Sequence, residues 1–274
     1  MNFAVKNSMP ANTNLANIHG LLVDLDGVLY VGDAALPGAR DALQAVRDRG
    51  IVCRFLTNTT TKTADEVVEK LAGLGFEIAP DEIITPVIAT KNFLESHKGG
   101  KPKLHLLVRE SILPAFDGFP HDDQAPDYVI VGDIGAKWSY TLLDTAFRQL
   151  MNGAELIAMH QNKFFQADGG LALDIGAFVA GLEYVTAHKA RIMGKPSPDF
   201  FDLALQSMDL PSDKVAMIGD DIESDLGGGQ NAGLLGILVK TGKYRKDYVA
   251  ESDVVPDAVV DSFADLPGLL PLSA

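Results

Sequence analysis

The stretch GLLVDLDGVLY, residues 20–30, decides how the rest of the chain is read. Leu21, Leu22 and Val23 form a short apolar run that ends in carboxylates at Asp24 and Asp26, followed at once by Gly27. A run of this length without an alternating polar face belongs to a parallel strand buried on both sides. Downstream, Pro37 marks a helix start, Ala42, Leu43 and Val46 recur at helical spacing within Ala39 to Arg49, and Gly50 supplies the stop. Ile51 to Leu56 reads as the next strand. Lys62 to Leu74 reads as a second amphipathic helix with Val67, Val68, Leu71 and Leu74 inward. Strand, helix, strand, helix is the order of a parallel α/β sheet.

The same order returns near the C-terminus. Phe200 to Met208 and Ser224 to Ala232 carry helical patterns, Val215 to Ile218 and Leu235 to Val239 read as buried strands, and Ala258 to Leu270 as a last strand and helix. Pro86 to Lys189, between the two blocks, alternates on its own account. Helices are predicted at Val87–His97, Tyr140–Met151 and Ile175–His188, and strands at Leu104–Val108, Tyr128–Val131 and Leu156–Met159. The expected fold class is α/β: a Rossmann-like parallel-sheet core of residues 18–84 and 189–274, with a smaller α/β domain, residues 85–188, inserted into it. Residues 1–17 read as a loosely ordered extension.

Composition narrows the function. The 274 residues include 37 acidic and 23 basic side chains, a net charge of −14. That surplus repels phosphate backbones, which need clustered Lys and Arg, so neither nucleic acid nor an anionic membrane is expected as a partner. No stretch reaches the ~18–20 apolar residues of a transmembrane helix, and the first residues lack the apolar centre of a secretory signal. The single cysteine, Cys53, lies in an apolar run with no partner for an intramolecular disulfide, which fits a reducing, cytoplasmic compartment. The six histidines are scattered without paired spacing, so no zinc pattern exists. The chain also lacks the Gly-x-Ser-x-Gly elbow of many serine hydrolases.

Asp24 and Asp26 fall at the carboxyl end of a strand, where open α/β sheets bind ligands. Taken alone, Asp-x-Asp-Gly has two readings: a turn leaving a strand, or a carboxylate nucleophile beside a second carboxylate that moves protons. Thr57, Asn58, Thr59, Thr60 and Thr61 follow the second strand. Hydroxyls, an amide and free helix N-terminal N–H groups suit a phosphate oxygen, and equally suit a helix N-cap. Lys195, held between Gly194 and Pro196, offers a fixed cation to a transferring phosphoryl group. In Gly219-Asp220-Asp221-Ile222-Glu223-Ser224-Asp225 several carboxylates gather at another strand end with no base nearby, a set of hard oxygen donors suited to Mg²⁺. Gly227, Gly228 and Gly229 read as helix-start packing, because no phosphate-loop pattern surrounds them.

In fixed order along the chain, LLVDLDGVLY, FLTNTTT, MGKPSPDFF and MIGDDIESD resemble the haloacid dehalogenase-like hydrolase superfamily over about residues 18–270. The insert resembles that superfamily's type 2 (C2) cap. The run Lys163–Gln166 through Gly170–Gly176 into MGKPSPDFF is similar to the subfamily IIA branch that contains phospholysine phosphohistidine inorganic pyrophosphate phosphatase. It is more distantly similar to the nucleotide and 4-nitrophenyl phosphatases. The resemblance implies Asp24 as nucleophile and Asp26 as general acid/base, with Thr57, Asn58 and Thr59 on the phosphate and Lys195 stabilising the nucleophile and the phosphoryl charge. It also implies Asp220 as a direct Mg²⁺ ligand beside an Asp24 carboxylate oxygen and the Asp26 backbone carbonyl, with Asp225 and Asp221 on metal-bound water. Two departures stand out: Thr59 where many relatives have a second Asn, and Asp221 where they have Asn.

The loop Gln161 to Asp174 is taken as the specificity strip, with Asp174 as a substrate-binding candidate. The activity implied is that of an Mg²⁺-dependent phosphatase acting on a small phosphorylated metabolite, pyrophosphate or a phosphoramidate through an aspartyl-phosphate, in a homodimer joined through the cap. Asp26 favours phosphatase over dehalogenase, because halide needs no proton to leave. The same residues leave open a phosphomutase that returns the phosphoryl group to a second hydroxyl, and a non-catalytic scaffold that binds phosphorylated ligands. Intact carboxylates count against the scaffold, since clustered acids are costly without a bound cation.

Overall fold

The computed structural model describes residues 15–97, 99–167 and 170–270. The chain divides into two compact units, Met1–Leu56, Leu74–Phe76 and Phe201–Ala274 in one, Thr57–Gly73 and Glu77–Phe200 in the other.

In the first unit, five strands lie side by side in the order Ala258–Val260, Leu235–Val239, Val215–Gly219, Gly20–Asp24, Val52–Leu56, all parallel. Leu21, Leu22 and Val23 and the run Val215 to Ile218 are fully buried, as unbroken apolar strands require. Gly20–Asp24 is registered with Val52–Leu56 on one side, Asp24 facing Leu56, and with Val215–Gly219 on the other, Val23 facing Ile218. Asp24 and Gly219 therefore end neighbouring strands at one level. The connections leave this central strand in opposite directions, which makes its carboxyl end a topological switch point.

Helix Ala39–Arg47 buries Ala39, Ala42, Leu43 and Val46, the stripe its spacing predicts. The predicted helix Ser224 to Ala232 is different: a π-helix, Ile222–Gly227, runs into a short α-helix, Gly228–Asn231. Asp221 causes the early start, because its Oδ1 accepts from Glu223 N at 3.1 Å and Ser224 N at 3.0 Å. Gly229 packs as expected, since a Cβ there would press on Met217. The last described element is a 3-10 helix, Phe263–Gly268, within the segment where the last helix is predicted, and Pro267 sits inside it.

The second unit carries a four-stranded parallel sheet in the order Arg191–Ile192, Glu155–Ala158, Tyr128–Val131, Leu104–Leu107. Helices Tyr140–Met151 and Gly176–Thr186 bury Ala146, Leu150, Val179 and Leu182 against Val129, Val131 and Leu156. Ser139 caps the first of these by accepting from Leu142 N. Thr85 caps Pro86–Glu95 by accepting from Ile88 N, with Pro86 opening that helix. Phe164–Ala167 and Gly170–Leu173 form an antiparallel hairpin within the Gln161–Asp174 strip, whose residues 168 and 169 lie outside the described set.

Residues 57–73, 77–84 and 189–200 group with the middle of the chain in the second compact unit. Hydrogen bonds account for part of this grouping. Asp133 N donates to Thr60 Oγ1 at 3.1 Å and Ser111 Oγ donates to the Thr61 carbonyl at 2.7 Å. Of the expected N-terminal extension, Leu15–Asn17 form a 3-10 turn with Leu15 buried, and residues 1–14 lie outside the described set. Among the described residues no helix is long and apolar enough to cross a membrane.

Candidate active site

At the switch point of the first unit, Asp24, Asp220 and Asp225 place carboxylate oxygens within 4.8 Å of one another. They are 7, 2 and 1% exposed. Strand geometry delivers two of them, Asp24 as the last residue of its strand and Asp220 just past the end of the neighbouring one. The π-turn delivers the third, with Asp225 Oδ2 accepting from Asp221 N at 3.1 Å. Glycines make the space. A Cβ on Gly219 would collide with the Asp225 carboxylate, and one on Gly27 or Gly242 would collide with Asp220 Oδ2. Gly27 and Gly242 also have φ of +89° and +58°, a region that favours glycine. Gly27→Ala and Gly242→Ala are each expected to lower the unfolding free energy by about 1–3 kcal/mol, read by urea denaturation.

The two oxygens of Asp220 differ sharply in their surroundings. Asp220 Oδ2 accepts from Lys243 N at 2.6 Å, while its Oδ1 is buried with no hydrogen-bond partner among the described residues. Burial, then the charges of Asp24 and Asp225, push the Asp220 pKa up to about 8, against the opposing pull of Lys243. A bare buried carboxylate oxygen among like charges is costly unless a cation meets it. Three hard oxygen donors and one unpartnered oxygen fit a divalent cation.

The carboxylates of the other two predicted metal residues lie outside this triad. Asp26 is exposed, with a bridge pairing to Tyr30. Asp221 caps the π-helix and lies 4.0 Å from Lys243 Nζ. Lys243 itself has no counterpart among the predicted residues. Its position past the strand Leu235–Val239, in the loop Thr241-Gly242-Lys243, is the signal that could have found it, since Asp24 and Asp220 also stand at the carboxyl ends of strands. The Thr241 hydroxyl donates to the Gly27 carbonyl, tying this loop to the Asp24–Gly27 turn.

Within the second unit the structure brings together the predicted phosphate residues. Thr57, buried, donates through Oγ1 to Thr59 Oγ1 at 3.0 Å and accepts from Thr59 N at 3.1 Å. Asn58 directs both ends of its amide to the Lys195 backbone: Lys195 N donates to Oδ1 at 2.8 Å and Nδ2 donates to the Lys195 carbonyl at 3.0 Å. Lys195 is 3% exposed. Gly194 admits no side chain, because Asn58 Oδ1 and the Met159 carbonyl occupy its Cβ position. Asn58 thus fixes the Lys195 loop. Asp174 is also buried. Its Oδ1 accepts from Ile175 N at 2.7 Å and lies 3.8 Å from His160 Nε2, so it anchors the base of the Phe164–Leu173 hairpin.

Residues 21–118 match the family model of the haloacid dehalogenase-like hydrolases, and residues 192–266 match a HAD-hydrolase-like model. The chain belongs to the haloacid dehalogenase-like hydrolase family. A mouse protein, haloacid dehalogenase-like hydrolase domain-containing protein 2, is 42% identical over 246 residues, which are 90% of this chain and 93% of that protein. The phospholysine phosphohistidine inorganic pyrophosphate phosphatase of Danio rerio is 36% identical over 257 residues, covering 91% of this chain and 93% of its own. The crystal structure of 4-nitrophenylphosphatase from Thermotoga maritima superposes with a TM-score of 0.86 at 28% identity, over 93% of this chain and 98% of that one. Family and named relatives support the phosphatase class expected from the sequence.

Proposed function

We propose that the chain is an Mg²⁺-dependent phosphatase that hydrolyses a small phosphorylated metabolite, pyrophosphate or a phosphoramidate through an aspartyl-phosphate on Asp24. The observation that carries this reading is the buried triad Asp24, Asp220 and Asp225 with the unpartnered Asp220 Oδ1. The pyrophosphate and phosphoramidate alternatives are supported by the name of the Danio rerio relative. Residues 85–188 serve as the cap in this reading, with Asp174 and the hairpin supplying specificity, and the buried thiol of Cys53 suits a reducing cytoplasm.

The Asp24 carboxylate attacks phosphorus in line with the leaving group, forming the acyl-phosphate bond as the bond to the leaving group breaks. Asp26, exposed to solvent, gives its proton to the departing oxygen or nitrogen. As a carboxylate it then takes a proton from water, which attacks the aspartyl-phosphate, restores Asp24 and frees phosphate. Thr57, Thr59 and Lys195 hold the phosphoryl oxygens, with Asn58 keeping the Lys195 loop in place. Asp24, Asp220 and Asp225 would hold Mg²⁺, with Asp221 fixing the loop between the last two. The metal supplies positive charge that offsets repulsion between the carboxylate nucleophile and the phosphate.

The test is phosphate release from pyrophosphate, phospholysine, phosphohistidine, nucleotides, pyridoxal phosphate and sugar phosphates, with Mg²⁺ or with EDTA. Release that disappears on chelation and returns with added Mg²⁺ is expected. Release indifferent to EDTA, or none from any compound, overturns the proposal.

A further inference from the structure

In the first unit a third strand end joins the two that carry Asp24 and Asp220. Strand Leu235–Val239 pairs with Val215–Gly219, which pairs in turn with Gly20–Asp24. The loop after Leu235–Val239 therefore crosses the end of its neighbour, a reach of two strand spacings or roughly 10 Å, and meets the turn beyond Asp24 at Gly27. Backbone lies against backbone there, since a Cβ on Gly242 would stand 2.5 Å from Gly27 Cα. From this one loop Lys243 N donates to Asp220 Oδ2 at 2.6 Å and the Thr241 hydroxyl donates to the Gly27 carbonyl. The donor side is held on both flanks of Thr241. Lys240 N donates to the Val260 carbonyl at 3.0 Å and Tyr244 N to the Thr241 carbonyl at 3.1 Å, and Tyr244 packs on Ile222, Leu226 and Leu238. The acceptor side is a short turn closed on itself, with Leu29 N on the Leu25 carbonyl at 2.9 Å and Gly27 N on the Tyr30 carbonyl at 2.7 Å. Leu25, Val28 and Leu29 anchor it by apolar burial, which has no direction, whereas a hydrogen bond to the Gly27 carbonyl has one.

We propose that Thr241 is a positioning residue, whose hydroxyl sets the orientation of the Asp24–Gly27 turn against the loop that holds Asp220. The proposal rests on the reading of Asp24 as nucleophile and Asp26 as general acid. Asp26 adjoins Gly27 in the chain and Asp24 stands three residues before it, so a rotation of the Gly27 peptide reaches both within one turn. The effect falls on rate, because in-line attack and proton transfer tolerate little misplacement, about 1 Å costing about 10²-fold. Substrate affinity should change little, since Thr57, Thr59 and Lys195 hold the phosphoryl oxygens in this scheme and none of them belongs to the turn. Thr241 itself touches no reacting atom. Its hydroxyl and its shape can be separated: Thr241→Val keeps the shape without the donor, and Thr241→Ser keeps the donor without the methyl group.

The experiment uses the full chain as wild type, Thr241→Val and Thr241→Ser. Turnover is read with 4-nitrophenyl phosphate and Mg²⁺, and the turn itself by amide hydrogen exchange in EDTA without substrate. Thr241→Val is expected to lower kcat about 10- to 100-fold with KM within about threefold of wild type. It should also speed exchange in the peptide covering residues 25–31 by about fivefold, the scale of one lost hydrogen bond, while exchange in Val215–Gly219 stays as in wild type. Thr241→Ser should remain within about threefold of wild type in kcat and in exchange. A kcat within twofold of wild type in Thr241→Val, a rise confined to KM, a loss that Thr241→Ser shares, or unchanged exchange at residues 25–31 each overturns the proposal. Failure of the phosphatase reading is a separate result, a wild type inert toward this probe and toward every compound named above. Exchange then decides alone: faster in Thr241→Val and restored in Thr241→Ser establishes the hold of Thr241 on the turn, and equal exchange removes it.

Discussion

Asp24→Asn should cut phosphate release by at least about 10⁴-fold, the scale of loss when a covalent nucleophile is removed. The amide has the size and shape of the carboxylate but cannot form the acyl-phosphate. The fold should survive, because Asp24 ends a strand whose other residues, Leu21, Leu22 and Val23, are fully buried apolar side chains. The variant should therefore still melt in one cooperative transition in EDTA. Phosphate measured at saturating Mg²⁺, beside a melting curve, checks both halves. Turnover within tenfold of the parent would remove Asp24 from the nucleophile role.

The metal-free protein should lose stability as pH rises from about 4 to about 8, and Asp220→Asn should abolish much of that loss. The direction follows from proton linkage. Burial and the charges of Asp24 and Asp225 lift the Asp220 pKa from an ordinary 3.8 to about 8, with Lys243 opposing. Between those values the folded chain keeps a proton that the unfolded chain has released, so the stabilisation is complete below the lower value and gone above the upper one. The amide of the Asp220→Asn variant stays neutral throughout. At pH 8 in EDTA, Asp220→Asn should melt at least about 3 °C above the parent. The same substitution should lower Mg²⁺-supported phosphate release by about 10³-fold or more, on the scale of lost electrostatic stabilisation of the transition state. Melting curves at pH 5, 6.5 and 8 decide the first point, and an identical pH slope in parent and variant would sink it. Saturating Mg²⁺ should flatten the parent's slope, because metal binding selects the deprotonated carboxylate.

Much of this was legible in the sequence because the sheet strands are buried on both faces. Leu21 to Val23, Val215 to Ile218 and Leu235 to Val239 have nowhere to go but into a parallel sheet, and the polar residues beyond their ends then gather at one edge. Asp24, Asp220 and Asp225 were found in this way. Tyr140–Met151 was legible for a different reason, with Ser139 as cap and a clear apolar stripe. Lys243 was not, since a lone lysine in a loop has the same sequence signature whether its side chain meets only water or a carboxylate such as Asp221. Asn58 was legible as a polar residue in a useful loop, but only tertiary contact shows that its amide serves the Lys195 backbone. The grouping of residues 57–73 with the middle segment is accompanied by side-chain to backbone bonds such as Asp133 N to Thr60 Oγ1, which leave no periodic trace.

The π-turn at Ile222–Gly227 makes the position of Asp225 depend on how many residues the chain has there, and not only on which ones. Asp221 O accepts from Asp225 N at 3.0 Å and from Leu226 N at 3.4 Å, so one wide turn carries a residue more than an α-helix would. Deleting that residue to restore α-helical winding would rotate the remainder of the turn by about 100°. Either Asp225 would swing away from its partners, or Ile222 and Leu226 would leave the apolar cluster they share with Leu238. A single-codon deletion in this segment is therefore a heavier lesion than most substitutions within it. The geometry of the acidic triad is stored as a count of peptide units as well as in side-chain chemistry.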